Sequence, residues 1–338
     1  MPQPSQRELL DSLYEAQQIY ASAGVTTCQE GATHAKDLQF LRKAAEEGLL
    51  CLDVVSLPFI LEVPALIREC APDFSDTSKG IPNEAPEAFG KYWNRLKLQG
   101  IKFRLDGSPQ GKTAFWSEPL LGGQDNWRGQ PLFPPEVRNK ALAEVYSKGI
   151  QVFAHCNGDA SIDMMIDGAR AAGVMADRDR RTVIIHSQCM RPDQLPTYAE
   201  LGFSPSFFTV HTFFWGEEHV ANQGEEHASF ISPMQSAIGK GLTCSNHSDF
   251  SVTPMDPTRM MWSAVARRDH HRPGRARGPL GVAQGADHQC RLAAPGGRSE
   301  RHYRGRQARR PGDPGCRPPD GSDRPDPGDQ GGRDLKGG

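Results

Sequence analysis

Three residues spread along the chain are of types that can do hydrolytic chemistry, and each closes an expected strand. His155 closes the apolar run Val152-Phe153-Ala154, His186 closes TVIIH from Thr182, and Asp249 closes LTCSNHSD from Leu242. Imidazole and carboxylate are zinc ligands, and zinc lowers the pKa of a bound water to about 7, which gives hydroxide at neutral pH. A neighbouring carboxylate can take the proton that this water gives up. One histidine at the end of a buried strand is ordinarily a hydrogen-bonded core residue. The signal here is three strand ends in chain order.

Short apolar runs are the mark of parallel strands buried on both faces, and in an α/β barrel the chemistry sits where such strands end. The rest of the chain supplies the elements around them. Ser5-Gln-Arg-Glu8 has the form of a capping box, and Leu9, Leu13, Ala16 and Tyr20 continue at helical spacing until Gly24. Strands are expected over 25–29, 50–57 and 100–106, then at the His155 run, the His186 run, 203–208 and 242–249. Helices are expected over 35–47, 135–148, 162–172, 192–201 and 233–240. Seven strands separated by helices or helix-sized segments predict an α/β fold with a parallel sheet.

Several stretches between these elements are ambiguous in chemistry. Gly107 to Thr113 is one residue short of a P-loop and precedes a poor helix start, so it is read as a plain loop. Long loops are expected over 71–85 and 118–135, the second of lid or binding type. The repeat Gly216-Glu-Glu-His219 and Gly224-Glu-Glu-His227 lacks the H-E-x-x-H form and is taken as solvated polar positions. His211 either hydrogen-bonds substrate or anchors its loop. Phe207, Phe208, Phe213, Phe214 and Trp215 are either a pocket wall or core. His247 lies two residues before Asp249, so strand alternation could put both on one face.

Composition sets the outer bounds. A net charge of −2 implies no general attraction to nucleic acid or to an anionic membrane surface. No apolar run approaches the roughly 18 residues of a membrane span, and the polar start lacks the order of a signal peptide. The eight cysteines form no C-x-x-C pair, so the thiols are expected to be reduced and the compartment cytoplasmic. From Arg267 to Gly338 there are 72 residues with 15 Arg, 15 Gly and 9 Pro and no Ile, Phe, Trp or Met. Such a segment buries too little apolar surface to offset chain entropy, so a folded domain over 1–266 and a low-order tail over 267–338 are expected. Asp interleaves the tail's basic residues, which argues against a nucleic-acid arm.

The stretches GVTTCQE at Gly24, IKFRLDGSPQGKTA at Ile101, VFAHCNGDASID at Val152, VIIHSQ at Val183, Ser204 to Gly216, and SNHSDFSVTPMDP at Ser245 resemble, in order, amidohydrolase family 3 of the metal-dependent amidohydrolase superfamily. The resemblance implies a (β/α)₈ TIM-type barrel in which the seven strands are strands two to eight. It implies a divalent metal, zinc foremost and one or two ions, held by His155, His186 and Asp249, with Asp249 also taking the proton from water. Lys102 is then either a carboxylated lysine bridging two metals or an unmodified one paired with Asp106. Asn157, His211 and Trp215 are the implied substrate contacts. The implied reaction is hydrolysis of non-peptide carbon–nitrogen bonds, amide or formamide, in a small molecule, with self-association left open.

The family places a His-x-His pair at the end of strand one, and no His-x-His occurs in the 338 residues. His34, after the first strand, is not placed to replace it. The expectation is therefore an N-terminally truncated barrel, either active or a catalytically inactive remnant. Plausible codons for 285–315, displaced by one nucleotide, give strings of the family's form, so a frameshift near Ala266 is also expected.

Overall fold

In a computed structural model, the described residues are 4–61 and 89–265. Helix α1 (Gln6–Ser22) opens on the expected capping box: the Glu8 N–H donates to Ser5 Oγ at 3.3 Å, and the Ser5 N–H to Glu8 Oε2 at 2.7 Å. Gln17 is the buried polar residue of that helix. Its Oε1 accepts from the Cys51 and Leu52 N–H groups at 2.7 and 3.3 Å, and its Nε2 donates to Leu49 O at 3.1 Å. Those bonds satisfy backbone groups that enter the sheet buried, which is where an unpaired group would cost most. They fasten α1 to the second strand.

The remaining elements run β1 (Thr27–Thr33), α2 (Ala35–Glu46), β2 (Asp53–Pro58), β3 (Tyr92–Trp93), β4 (Leu96–Leu98), β5 (Gly100–Arg104), α3 (Pro135–Ser147), β6 (Gln151–Cys156), α4 (Asp159–Ala171), β7 (Val183–His186), α5 (Gln194–Leu201), β8 (Ser204–Phe207), α6 (His211–Ala228), α7 (Met234–Gly239), β9 (Ser245–Asn246) and α8 (Pro257–Val265). Hydrogen bonding orders them as β1-β2-β4-β3 and β5-β6-β7-β8-β9. Among the described residues only the β3–β4 pair is antiparallel. A parallel bridge from Phe59 to Lys102, with the Ile60 N–H donating to Lys102 O at 2.9 Å, brings the end of β2 beside β5. At that end seven parallel strands follow one another as β1, β2, β5, β6, β7, β8 and β9. The fold is α/β, of TIM-barrel type. Among the described residues no ladder joins β1 to β9, and Tyr20 of α1 meets Phe250, just past β9, at 5.5 Å between rings.

Alternation along the strands builds two layers of core. Val55, Leu57, Phe153, Val183 and Ile185 pack together inside the curve of the strands. Ile101, Phe103, Val152, Ala154 and Ile184 face outward onto Leu142, Ile162, Met165 and Tyr198 of the helices. Phe103 is 1% exposed, and truncating such a ring to Ala costs about 3–5 kcal/mol.

Some expectations need correction. The hairpin β3–β4 turns through Asn94 and Arg95, both at positive φ, and raises the strand count above seven. Its strands are too short to show a period. The last strand shrinks from 242–249 to Ser245–Asn246, and beyond it Asp249, at φ 50, is out of the extended state. Residues 211–228, for which no helix was expected, are helical, with non-helical angles at Trp215 and Gly224. Cys28, Cys156, Cys189 and Cys244 are free thiols, but Cys51 is disulfide-bonded, against the expectation of reduced thiols throughout. Sequence spacing was a poor guide there, since a disulfide needs only Cα atoms within about 7 Å in space. The expected loop over 71–85, and the tail with its boundary near Ala266 and its frameshift, lie outside the described residues. No helix among the described residues is long and apolar enough to cross a membrane.

Candidate metal centre at the strand ends

Strand register decides which side chains converge. Lys102 stands opposite Phe153 and therefore faces the inner layer, and His155, two residues after Phe153, faces the same way. His186 by alternation should follow Ile184 outward. Its backbone instead takes φ 73, with Ser187 at φ 45, and the ring turns inward. A non-glycine residue held in the left-handed region costs of order 1–3 kcal/mol, a cost found where function fixes a side chain. His247 follows β9, its N–H donating to Phe207 O at 2.9 Å, and Asp249 turns back at φ 50.

The outcome is a file of rings. His155 Nδ1 lies 3.1 Å from His186 Nε2, and His186 Nδ1 lies 3.1 Å from His247 Nε2. Ser206 Oγ is 3.1 Å from His247 Nδ1, and Gly107 O is 3.0 Å from His155 Nε2. A carbonyl only accepts, so His155 carries its hydrogen on Nε2. Each next ring then donates from Nε2 to the Nδ1 before it, and the Ser206 hydroxyl donates last. One ligand atom each from His186, His247 and Asp249 come within 4.8 Å of one another. Asp249 is the exposed member of that group, and His186 the buried one.

Burial sets the charge states. It pushes His155 down to about 3, helped by the nearby Lys102 cation, and His247 down to about 4 against the pull of Asp249. His186 is also pushed well down, first by burial and then by its histidine neighbours. Neutral rings at pH 7 keep lone pairs free for a metal. Lys102, 6% exposed, is lowered to about 8 by burial, with Asp249 opposing.

Asp106 does not pair with Lys102. Its carboxylate is fully buried, accepts the N–H groups of Phe115, Asn157 and Gly158 at 3.0, 3.0 and 2.8 Å, and lies 3.5 Å from His155 Nε2. Two of these donors, Asn157 and Gly158, come from the short link between β6 and α4, and Phe115 comes from the loop after β5. Asn157 donates from Nδ2 to Gly107 O at 2.8 Å, the carbonyl that also meets His155 Nε2, so it braces that ring through a shared acceptor. The loop resembling a P-loop closes on itself, Gly107 N–H to Thr113 O at 3.1 Å, and presents the Gly107 carbonyl.

His211 lies one ring away from the file. Phe208 stacks on His247 at 5.3 Å and meets His211 edge-on at 5.1 Å, and Trp215 lies 4.5 Å from His211. Phe207 and Phe208 are core, whereas Phe213 and Phe214 are exposed. His34 caps the start of α2 and packs on Phe59 at 5.7 Å. Sequence reasoning underrated His247, whose only signal was its two-residue spacing from Asp249. It misread His219, which is fully buried with Nε2 2.7 Å from His211 Nδ1, while His227 and the glutamates of both repeats are exposed as expected. The signal missed was four-residue spacing from His211 through Trp215 to His219, one face of a helix.

A family model described as an amidohydrolase family matches residues 1–287. Protein LONG AFTER FAR-RED 3 of Arabidopsis thaliana is 28% identical over 174 residues, 51% of this chain and 30% of that protein. N-substituted formamide deformylase of Arthrobacter pascens is 29% identical over 121 residues, 35% of this chain and 22% of that protein. The crystal structure of an uncharacterized metal-dependent hydrolase from Pyrococcus furiosus superposes with a TM-score of 0.67 at 21% identity, over 82% of this chain and 53% of that chain. The chain thus spans under a third of these curated relatives and about half of the solved one. The structural likeness speaks to the fold alone.

Proposed function

Because the chain belongs to the amidohydrolase family, we propose that it is a metal-dependent hydrolase of non-peptide carbon–nitrogen bonds in small amides or formamides. One observation carries this reading: ligand atoms of His186, His247 and Asp249 come together at the ends of parallel strands. The donor set fits a divalent ion, zinc foremost. Nitrogens 3.1 Å apart are close to the edge of a tetrahedron with bonds of about 2.0–2.1 Å, and three protein ligands leave the open position of a catalytic zinc. His186 offers one nitrogen to His155 and the other to His247, and a single ion uses one of them. We therefore add His247 to His186 and Asp249 as ligands. His155, fixed by Gly107 O and Asp106, either supplies a further donor or orients His186.

A bound ion of this kind would activate water and polarise a carbonyl. The chain's own residues do the rest. Asp249, exposed beside the buried histidines, is placed to accept a proton at its carboxylate. Ser206 Oγ, 3.1 Å from His247 Nδ1, can accept a hydrogen from that nitrogen once Nε2 is used as a ligand. Phe208 covers one face of His247 and keeps water from it. His211 and Trp215 border the Phe208 ring and are the proposed substrate contacts, with Asn157 acting through His155. Lys102 brings a buried amine to the same interior, where carboxylation would give it a metal-bridging oxygen pair.

Formate release from an N-substituted formamide by the zinc-loaded full chain tests the reading. Activity that disappears in His186→Ala and Asp249→Asn supports it, and activity that persists in both places the chemistry elsewhere. A second reading is a catalytically inactive relative of such an enzyme. Zinc retention without turnover of any amide or formamide would select it.

A further inference from the structure

One face of α6 carries a second set of polar groups. His211, Trp215, His219 and Gln223 recur every four residues. His211 Nδ1 and His219 Nε2 are 2.7 Å apart, and Gln223 Nε2 lies 3.5 Å from His219 Nδ1 and 3.5 Å from Cys189 Sγ. His211 and His219 are 3% and 0% exposed, so neither exchanges partners with water.

We propose that His219 is a positioning residue which, together with Gln223, holds the hydrogen of His211 on Nε2 and so makes His211 a donor toward a substrate carbonyl or carboxylate oxygen. An amide nitrogen only donates, so His219 Nδ1 accepts from Gln223. The remaining hydrogen of His219 then sits on Nε2 and is given to His211 Nδ1. His211 is left with its own hydrogen on Nε2. Burial pushes His219 down to about 4 and His211 further, with each other's proximity adding to the effect on His211, so both rings are neutral at pH 7 and a single hydrogen lies between them. The backbone guards the arrangement: the Leu121 N–H donates to Asn222 O at 2.8 Å, pinning the loop over 116–128 onto this stretch of helix. An inward-facing histidine with one fixed tautomer has the directionality that binding a neutral acceptor requires.

The donor role toward substrate rests on the hydrolase reading above, whereas the tautomer does not. The two are separated by long-range ¹H–¹⁵N spectra of the ¹⁵N-labelled full chain at pH 7.5, which need no turnover. Wild type should show His211 protonated on Nε2 alone. His219→Leu should shift His211 toward a mixture of tautomers, and with an N-substituted formamide as probe should raise KM about tenfold with a smaller change in kcat. His219→Gln, which can donate from its amide, should restore the wild-type His211 signature. His211 protonated on Nδ1 in wild type, or unchanged in a folded His219→Leu, would overturn the proposal. If His219→Leu does not fold, the wild-type and His219→Gln spectra decide alone.

Discussion

His247 Nε2 lies 3.1 Å from His186 Nδ1, although 61 residues of chain separate them. The contact needs His186 out of the alternation of its strand. His186 turns inward at φ 73, and Asp249 bends the strand end back at φ 50. If this pair is a ligand edge, His247→Ala should weaken zinc binding by at least tenfold, as measured by competition with a chromogenic chelator. Unchanged affinity would remove His247 from the site.

Ser206 reaches the centre through its hydroxyl, which sits on His247 Nδ1. Outer partners of this kind typically account for 10–100-fold in metal affinity. Ser206→Ala should therefore weaken zinc by about tenfold while leaving the thermal midpoint of the metal-free chain within a few degrees. Loss of stability with no loss of affinity would make Ser206 a packing residue.

Stability should depend on pH through His219. Its folded value of about 4 lies below the roughly 6.5 of an unfolded chain, so the unfolded state binds the proton first. The contribution is whole above pH 6.5 and is lost as pH falls toward 4. At about 1.4 kcal/mol per unit, the fall from pH 6.5 to 5.0 is about 2 kcal/mol. Urea unfolding of wild type and His219→Gln at pH 7.5 and 5.0 measures it: the variant should lose less than wild type over that interval. Equal losses would place the titration elsewhere.

How much of this was legible beforehand depended on what each residue had to signal. His155 and His186 end apolar runs, and an apolar run is a local pattern. The seven strands and most helices were readable for the same reason. His247 and His219 depend on facts that the string does not show: where β9 stops, and that 211–228 is helix despite Gly216 and Gly224. Asp106 could be seen as a charge, but its three backbone donors come from Phe115, Asn157 and Gly158, which only the fold brings to it. The hairpin β3–β4 is too short to leave a period at all.

Gly158 gives an independent check on the wall around Asp106. A Cβ there would fall on the carbonyl of Phe115, which is backbone and cannot swing aside. Gly158→Ala should cost about 1–3 kcal/mol or more by overpacking and disturb His155 through Asn157. A chemical denaturation midpoint equal to wild type would contradict the close approach.

The central claim is that His186, His247 and Asp249 hold a divalent ion, and zinc retained per chain after exhaustive dialysis of the full-length protein tests it most directly. The account predicts close to one ion per chain in wild type and none in a folded His186→Ala/His247→Ala double variant. No zinc in wild type, or equal zinc in both proteins, would contradict it.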